Sequence, residues 1–223
     1  MSDLKLVVFD VDGTLIDSQG LIMAAMTLGF ETQGLAAPAR EDVLPLVGLS
    51  LEIIMPRLAS AQSPAVHAEL VDGYKNAFME LRKRGTPQDD MPLFDGALAA
   101  VSGLHAQPET LLGIATGKSR RGLDKVLQAY DMERYFFTQQ VADHHPSKPH
   151  PSMLSACLAD TGVSADQAVM IGDTSFDMDM AKAAGFKAIG VSWGYHDRNE
   201  LAAADIVIDR FTDLENALEE LWR

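Results

Sequence analysis

Cysteine is nearly missing from this chain: Cys157 is the only one in 223 residues. A lone thiol cannot close an internal disulfide, so the fold is expected to rest on its core, in a reducing, cytoplasmic setting. Cys157 lies in an apolar helical pattern with Met153, Leu154 and Leu158, which reads as a small core residue. Basic residues are scarce, with 18 Lys and Arg against 32 Asp and Glu and a net charge of −14. That balance excludes nucleic acid as a partner, because such binders need a basic patch. It also removes long-range attraction of anions, so any phosphate site must be a local cluster of lysines and amides. Long apolar runs are absent too. Residues 4–9 are broken by Lys5 and followed by acids, too short a stretch for a signal peptide or a membrane span. No membrane partner is therefore expected. What remains is 47% hydrophobic residues, enough for one large domain or a core with a modest insertion.

The most informative stretch is Leu6-Val7-Val8-Phe9-Asp10-Val11-Asp12-Gly13-Thr14. An apolar run predicts a buried strand that stops at Asp10, and Gly13 permits a sharp turn. In open α/β sheets ligands gather beyond the carboxyl ends of strands. Two acids delivered there suit a nucleophile, a metal ligand and an acid/base, although an Asp-rich turn alone is the bland reading. A calcium loop does not fit, because its glycine and glutamate positions hold other residues.

From residue 110 onward strand and helix patterns alternate. Strands are expected at 110–115, 135–138, 167–172, 186–191 and 205–208, and helices at 119–130, 152–159, 175–184 and 213–222. Repeated βαβ units predict a parallel sheet covered on both faces. Residues 17–84 break the rhythm, with helical patterns at 21–28, 51–58 and 66–81 and an exposed return linker from Arg82 to Pro87. A helical insert directly after the first strand suggests a lid. The expected fold is thus α/β, a Rossmann-like parallel core made of 1–16 and 85–223, with a small all-helical cap at 17–84.

Three further motifs fall at strand ends. The quartet Thr116-Gly117-Lys118-Ser119 places a hydroxyl and free amides beside the first site. It misses a nucleotide-type phosphate loop by one residue, and a helix cap is the plain alternative. Lys148 stands in Pro146-Ser147-Lys148-Pro149, where prolines stiffen the backbone around a flexible ammonium suited to carboxylate and phosphate. Asp173 and Asp177 follow Gly172, four residues apart on one helix face. Hard oxygen ligands from several strand ends suit Mg²⁺; a helix-dipole charge pair is the alternative. Asp179 falls off that face. His144 and His145 read as solvated loop residues, and Met23 and Met26 as helix core more readily than as lining of a cap mouth.

These motifs, in this order, resemble the haloacid dehalogenase-like hydrolases, and the segments around Ala183-Ala184-Gly185 and Gly190 to Tyr195 are most similar to phosphoglycolate-phosphatase-type members. The resemblance implies an enzyme, a phosphoric monoester hydrolase acting on a small phosphorylated metabolite such as 2-phosphoglycolate. It implies that Asp10 is the nucleophile and Asp12 the acid/base. Thr116 and the Gly117 amide would hold phosphoryl oxygens, and Lys148 would neutralise charge. Mg²⁺ would be held by Asp10, the Asp12 carbonyl and Asp173, with Asp177 in the next layer or on Lys148. A β-phosphoglucomutase-like phosphomutase shares every one of these motifs, and a non-catalytic binding protein on the same fold is the alternative from another class. Cap residues Gly48, Ser50 and Arg57 are candidates for specificity. A phosphonate hydrolase would need a cap amine, and Lys75 and Lys83 sit in ordinary helical or linker settings.

Overall fold

The computed structural model describes residues 4–83 and 85–223. The chain enters through β1 (Lys5–Phe9) and leaves into a helical excursion of α1 (Gln19–Thr32), the short α2 (Arg40–Val43), α3 (Leu51–Leu58) and α4 (Pro64–Arg82). It returns through α5 (Pro87–Asp90) and α6 (Ala97–His105) to β2 (Thr110–Thr116). Then follow α7 (Arg120–Ala129), β3 (Thr138–Val141), α8 (Ser152–Thr161), β4 (Ala168–Gly172), α9 (Ser175–Ala184), β5 (Lys187–Val191), β6 (Ile206–Ile208) and α10 (Leu214–Leu221). The six strands form one parallel sheet in the order β3-β2-β1-β4-β5-β6. This is the Rossmann-like α/β fold that the alternating pattern predicts.

Period-two alternation divides the sheet between two cores. Val7 and Phe9 pack with Ile114, Val169 and Ile171 on one face, while Leu6 and Val8 pack with Met170 and Met178 on the other. Full burial of both faces explains why β1 reads as an unbroken apolar run. Strand order reverses around β1, so the crevice beyond its carboxyl end is where a ligand is expected.

The helical excursion has a core of its own, built from Ile22, Met26, Phe30, Ile54, Met55 and Leu70 among others. Met26 is therefore core, and it also faces the cavity described below. Helices α1 and α4 cross closely at two glycines: a Cβ on Gly29 would lie 3.0 Å from the Tyr74 nitrogen. Outgoing and returning chains run side by side at the base, with Asp17 N–H donating to the Pro92 carbonyl (2.8 Å) and Phe94 N–H to that of Leu15 (3.0 Å).

One strand differs from expectation. The aromatic run at 135–138 suggests β structure, yet its start is a 3₁₀ turn (Glu133–Tyr135) and Phe137 is 63% exposed. The ladder begins at Thr138, opposite Gly113. The strand is an edge, where polar Gln139 and Gln140 are tolerated and aromatics are not required. No described helix is long and apolar enough to cross a membrane.

Candidate active site

Asp10 follows β1 directly, and its N–H donates to the Ile171 carbonyl of β4 (2.9 Å). That bond fixes the nucleophile candidate between the two central strands. Its side chain is buried, with Oδ1 2.9 Å from Lys148 Nζ, yet neither carboxylate oxygen accepts a well-directed hydrogen bond. Lys148 is fully buried and also donates to Asp177 Oδ1 (2.7 Å). Asp177 Oδ2 in turn accepts from the Thr174 hydroxyl (2.7 Å) and N–H (3.1 Å), closing the capping box that starts α9. A helix cap and an ion-pair anchor are thus one carboxylate.

Asp173 accepts from the Thr14 hydroxyl (2.9 Å) and from the Tyr195 N–H (2.9 Å). It is enclosed by two glycines. A Cβ on Gly13 would stand 2.2 Å from Asp173 Oδ2, and one on Gly194 2.1 Å from Asp173 Cβ. Gly13 also has φ +82°, so this position disfavours a side chain twice over.

Oxygens of Asp10, Asp173 and Asp177 lie within 4.8 Å of one another. Burial pushes Asp10 up to about 7, opposed by Lys148 and reinforced by Asp177 and Asp12. Burial raises Asp173 well above the carboxylate range, and its two acidic neighbours add to this. Burial alone would lower Lys148, but Asp10 and Asp177 outweigh it and hold the ammonium charged. One ammonium thus serves Asp10 and Asp177 while Asp173 has none, so ionising all three buried carboxylates calls for a further positive charge. Oxygen-only donors, two of them on Asp10 without directed hydrogen bonds, fit a hard divalent cation.

Asp12 is oriented differently. Its carboxylate accepts from Lys118 Nζ at 2.6 and 2.8 Å and from the Ser18 hydroxyl. Asp12 therefore faces the cavity, apart from the metal-type cluster, which Asp177 joins instead. Thr116 is buried at the end of β2 and its hydroxyl accepts from the Lys118 N–H (3.2 Å). A cavity of about 790 Å³ opens from Asp10, Asp12, Thr116 and Gly117 toward the helical excursion.

Gly48 of the helical excursion and Gly117 beyond β2 touch: a Cβ on Gly117 would lie 2.6 Å from the Gly48 carbonyl. Ser50 N–H donates to the Ser147 hydroxyl (2.9 Å), next to Lys148. Gly48 lines the cavity, while Arg57 is exposed on α3 and outside its lining. His145 is not simply solvated, since its ring bridges Ser152 and Gln140.

Sequence reasoning missed several residues here. Lys118 stands in the quartet with Thr116, but its partner Asp12 is far away in sequence and nothing local reveals the pair. Tyr195, which contacts Ser18 through its hydroxyl (3.1 Å), and Tyr74, which lines the cavity, likewise carry no sequence signal. Burial first, and then the Asp12 charge, raise both phenols, keeping them protonated. His196 is buried and joins α9 to the helical excursion: Nδ1 accepts from the Ser175 N–H (3.1 Å), which leaves Nε2 to donate to the Pro45 carbonyl (3.0 Å).

Comparison with known proteins agrees with this geometry. The family model described as haloacid dehalogenase-like hydrolase matches residues 7–191. "Probable phosphatase IndB" of Dickeya dadantii is 31% identical over 222 residues, covering 98% of this chain and 95% of that one. A phosphoglycolate phosphatase of Salmonella typhimurium is 26% identical over 245 residues, covering 98% and 94%. The solved structure of a predicted phosphatase from Clostridium acetobutylicum superposes with a TM-score of 0.84 at 22% identity, covering 97% and 99%, which establishes the shared fold. The chain belongs to the haloacid dehalogenase-like hydrolases, an enzyme family in which these named relatives are phosphatases.

Proposed function

We propose that this enzyme is a Mg²⁺-dependent phosphatase that cleaves a small phosphate monoester through an aspartyl phosphate on Asp10, in the cytoplasm. The observation that carries this reading is the Asp10 carboxylate, sealed at a strand end against Lys148 at 2.9 Å with two more buried acids around it. Such a group has lost its water and gained a fixed countercharge, as a nucleophile for an anionic phosphoryl group requires.

Residues 17–84 act as a cap over the core of 1–16 and 85–223. Mg²⁺ held by Asp10, the Asp12 carbonyl and Asp173 would screen the repulsion between nucleophile and phosphate. Thr116 and the Gly117 amide hold phosphoryl oxygens, while Lys148 offsets charge on Asp10 and Asp177 orients Lys148. An Asp10 oxygen forms the new bond to phosphorus as the ester P–O bond breaks, and Asp12 gives its proton to the departing alkoxide. In the second half Asp12 takes a proton from water attacking the aspartyl phosphate, which frees Asp10 and inorganic phosphate. Gly48 and Ser50 shape the cap side, whereas the exposed Arg57 has no part in the site.

A small phosphate monoester with an acidic leaving group is the substrate class, with 2-phosphoglycolate its simplest member. The decisive experiment is phosphate release from a metabolite panel with Mg²⁺ and with EDTA, repeated on Asp10→Asn. Release that needs Mg²⁺ and disappears in the variant supports the reading. Faster interconversion of hexose phosphates than release of phosphate would replace it with a mutase.

A further inference from the structure

Two arginines line the cavity that opens from Asp10, close enough for their charges to act on each other. Arg82 ends the cap helix α4 and Arg121 lies in the first turn of the core helix α7, and both line the same cavity. Neither guanidinium has an ion pair or hydrogen bond among the described residues. In a chain with 32 acids against 18 bases this is unusual. Arg120, the neighbour of Arg121, is fully engaged with Asp124 and Gln139.

The arrangement is electrostatically unfavourable as it stands. A cation in the first turn of a helix opposes the helix dipole. The two guanidiniums also repel each other: burial first, and then Arg121, lower the Arg82 pKa, and Asp90 offsets this only in part. The bland reading of Arg82, a base at a helix C-terminus, leaves Arg121 unexplained. Two unpartnered guanidiniums converging from cap and core suit an incoming anion, which each can bind in a bidentate fork.

The wall shared by Lys118 and Arg82 shapes the ligand. Phe78 carries Lys118 Nζ 5.6 Å from its ring centre and the Arg82 guanidinium 6.0 Å from it. Lys118 is bound to Asp12, so Phe78 links Arg82 to the acid/base through one shared aromatic ring. Leu51, Ile54 and Met79 continue the apolar wall.

We propose that Arg82 and Arg121 form a recognition pair for a second anionic group on the substrate, whose leaving group is an alcohol with an apolar or aromatic body ending in a carboxylate or phosphate. This rests on the phosphatase reading and makes it more specific. Glycolate carries the anion but not the body, so 2-phosphoglycolate fills only part of the site.

The test compares kcat/KM for phenyl phosphate, 4-(carboxymethyl)phenyl phosphate and the corresponding aryl bisphosphate. The wild type is expected to prefer the two charged esters by about tenfold or more, the scale of one charge-assisted contact. That ratio falls to near one in Arg121→Gln, an exposed site where folding is not at stake, and in Arg82→Gln with an unchanged melting temperature. Equal kcat/KM for all three esters in the wild type overturns the proposal, and so does a ratio that survives in both variants. Calorimetric binding of the same esters to Asp10→Asn separates the two readings. If nothing is hydrolysed yet the charged esters still bind about tenfold tighter through the arginines, the pair stands and the phosphatase reading falls.

Discussion

Asp10→Asn should stabilise the metal-free protein, and the gain should grow with pH. The folded state holds the Asp10 proton up to about 7, against 3.8 for a free carboxyl. Below pH 3.8 both states are protonated and burial costs nothing from this group. Between 3.8 and about 7 the unfolded chain ionises while the folded one keeps its proton, so stability falls as pH rises. Above about 7 the loss is complete. Each step of one in pKa is worth about 1.4 kcal/mol, which gives about 2 kcal/mol at pH 5 and about 4 kcal/mol at pH 8. Asparagine never ionises and escapes the loss, and Lys148 keeps Asp177 as a partner at 2.7 Å. For a chain of this size 1 kcal/mol moves the melting temperature by about 2–4 °C. Scanning calorimetry in EDTA should therefore find the variant melting higher at pH 8 by on the order of 10 °C, and by roughly half that at pH 5. Mg²⁺ should raise the wild type more than the variant. A variant less stable than wild type in EDTA at pH 8, or a difference that does not change with pH, would refute the reasoning.

Asp12→Ala should cost about 10²–10⁴-fold in phosphoenzyme formation with alkyl esters and much less with aryl esters, whose leaving group needs little protonation; equal losses in rapid-quench measurements count against Asp12 as the acid. Gly194→Ala puts a methyl 2.1 Å from Asp173 Cβ, so the carboxylate must shift, lowering stability by about 1–3 kcal/mol and raising the Mg²⁺ concentration needed for half-maximal turnover. An unchanged Mg²⁺ titration in that variant would show that Asp173 is not a ligand. Lys148→Met strands the buried carboxylates of Asp10 and Asp177 and should cost about 3–5 kcal/mol, read as a lower melting temperature that acid partly restores by protonating Asp10.

The parts legible in the sequence are those whose cause is local. β1 is an apolar run because both sheet faces bury it, and the Asp10, Thr116 and Asp173 positions follow from strand ends read one at a time. The α9 start is equally local, since Thr174 and Asp177 cap each other within one turn. β3 was displaced because an aromatic run resembles a strand, while its true register is set by Gly113 across the sheet. Lys118 on Asp12, His196 on Pro45 and Arg82 near Arg121 join positions far apart in sequence. Such pairs depend on how distant segments are brought together, which no window of neighbouring residues contains.

The cap does not rest on inert scaffold. Beyond its base at Asp17 and Ser18, residues 17–84 meet the sheet domain at Gly48 on Gly117, Ser50 on Ser147, and Pro45 on His196, which itself grips Ser175. Each of these contacts lies beside a group of the candidate site, namely Thr116, Lys148 and the α9 turn holding Asp177. If residues 17–84 move as the proposed cap, the moving part and the chemical part form a single linkage. Ligand that drew any one of these loops inward would also pull on the cap, and a cap that lifted would loosen the groups proposed to hold phosphate. Opening and product release would then be one event, and substitutions at these contacts should alter turnover without touching a reacting atom.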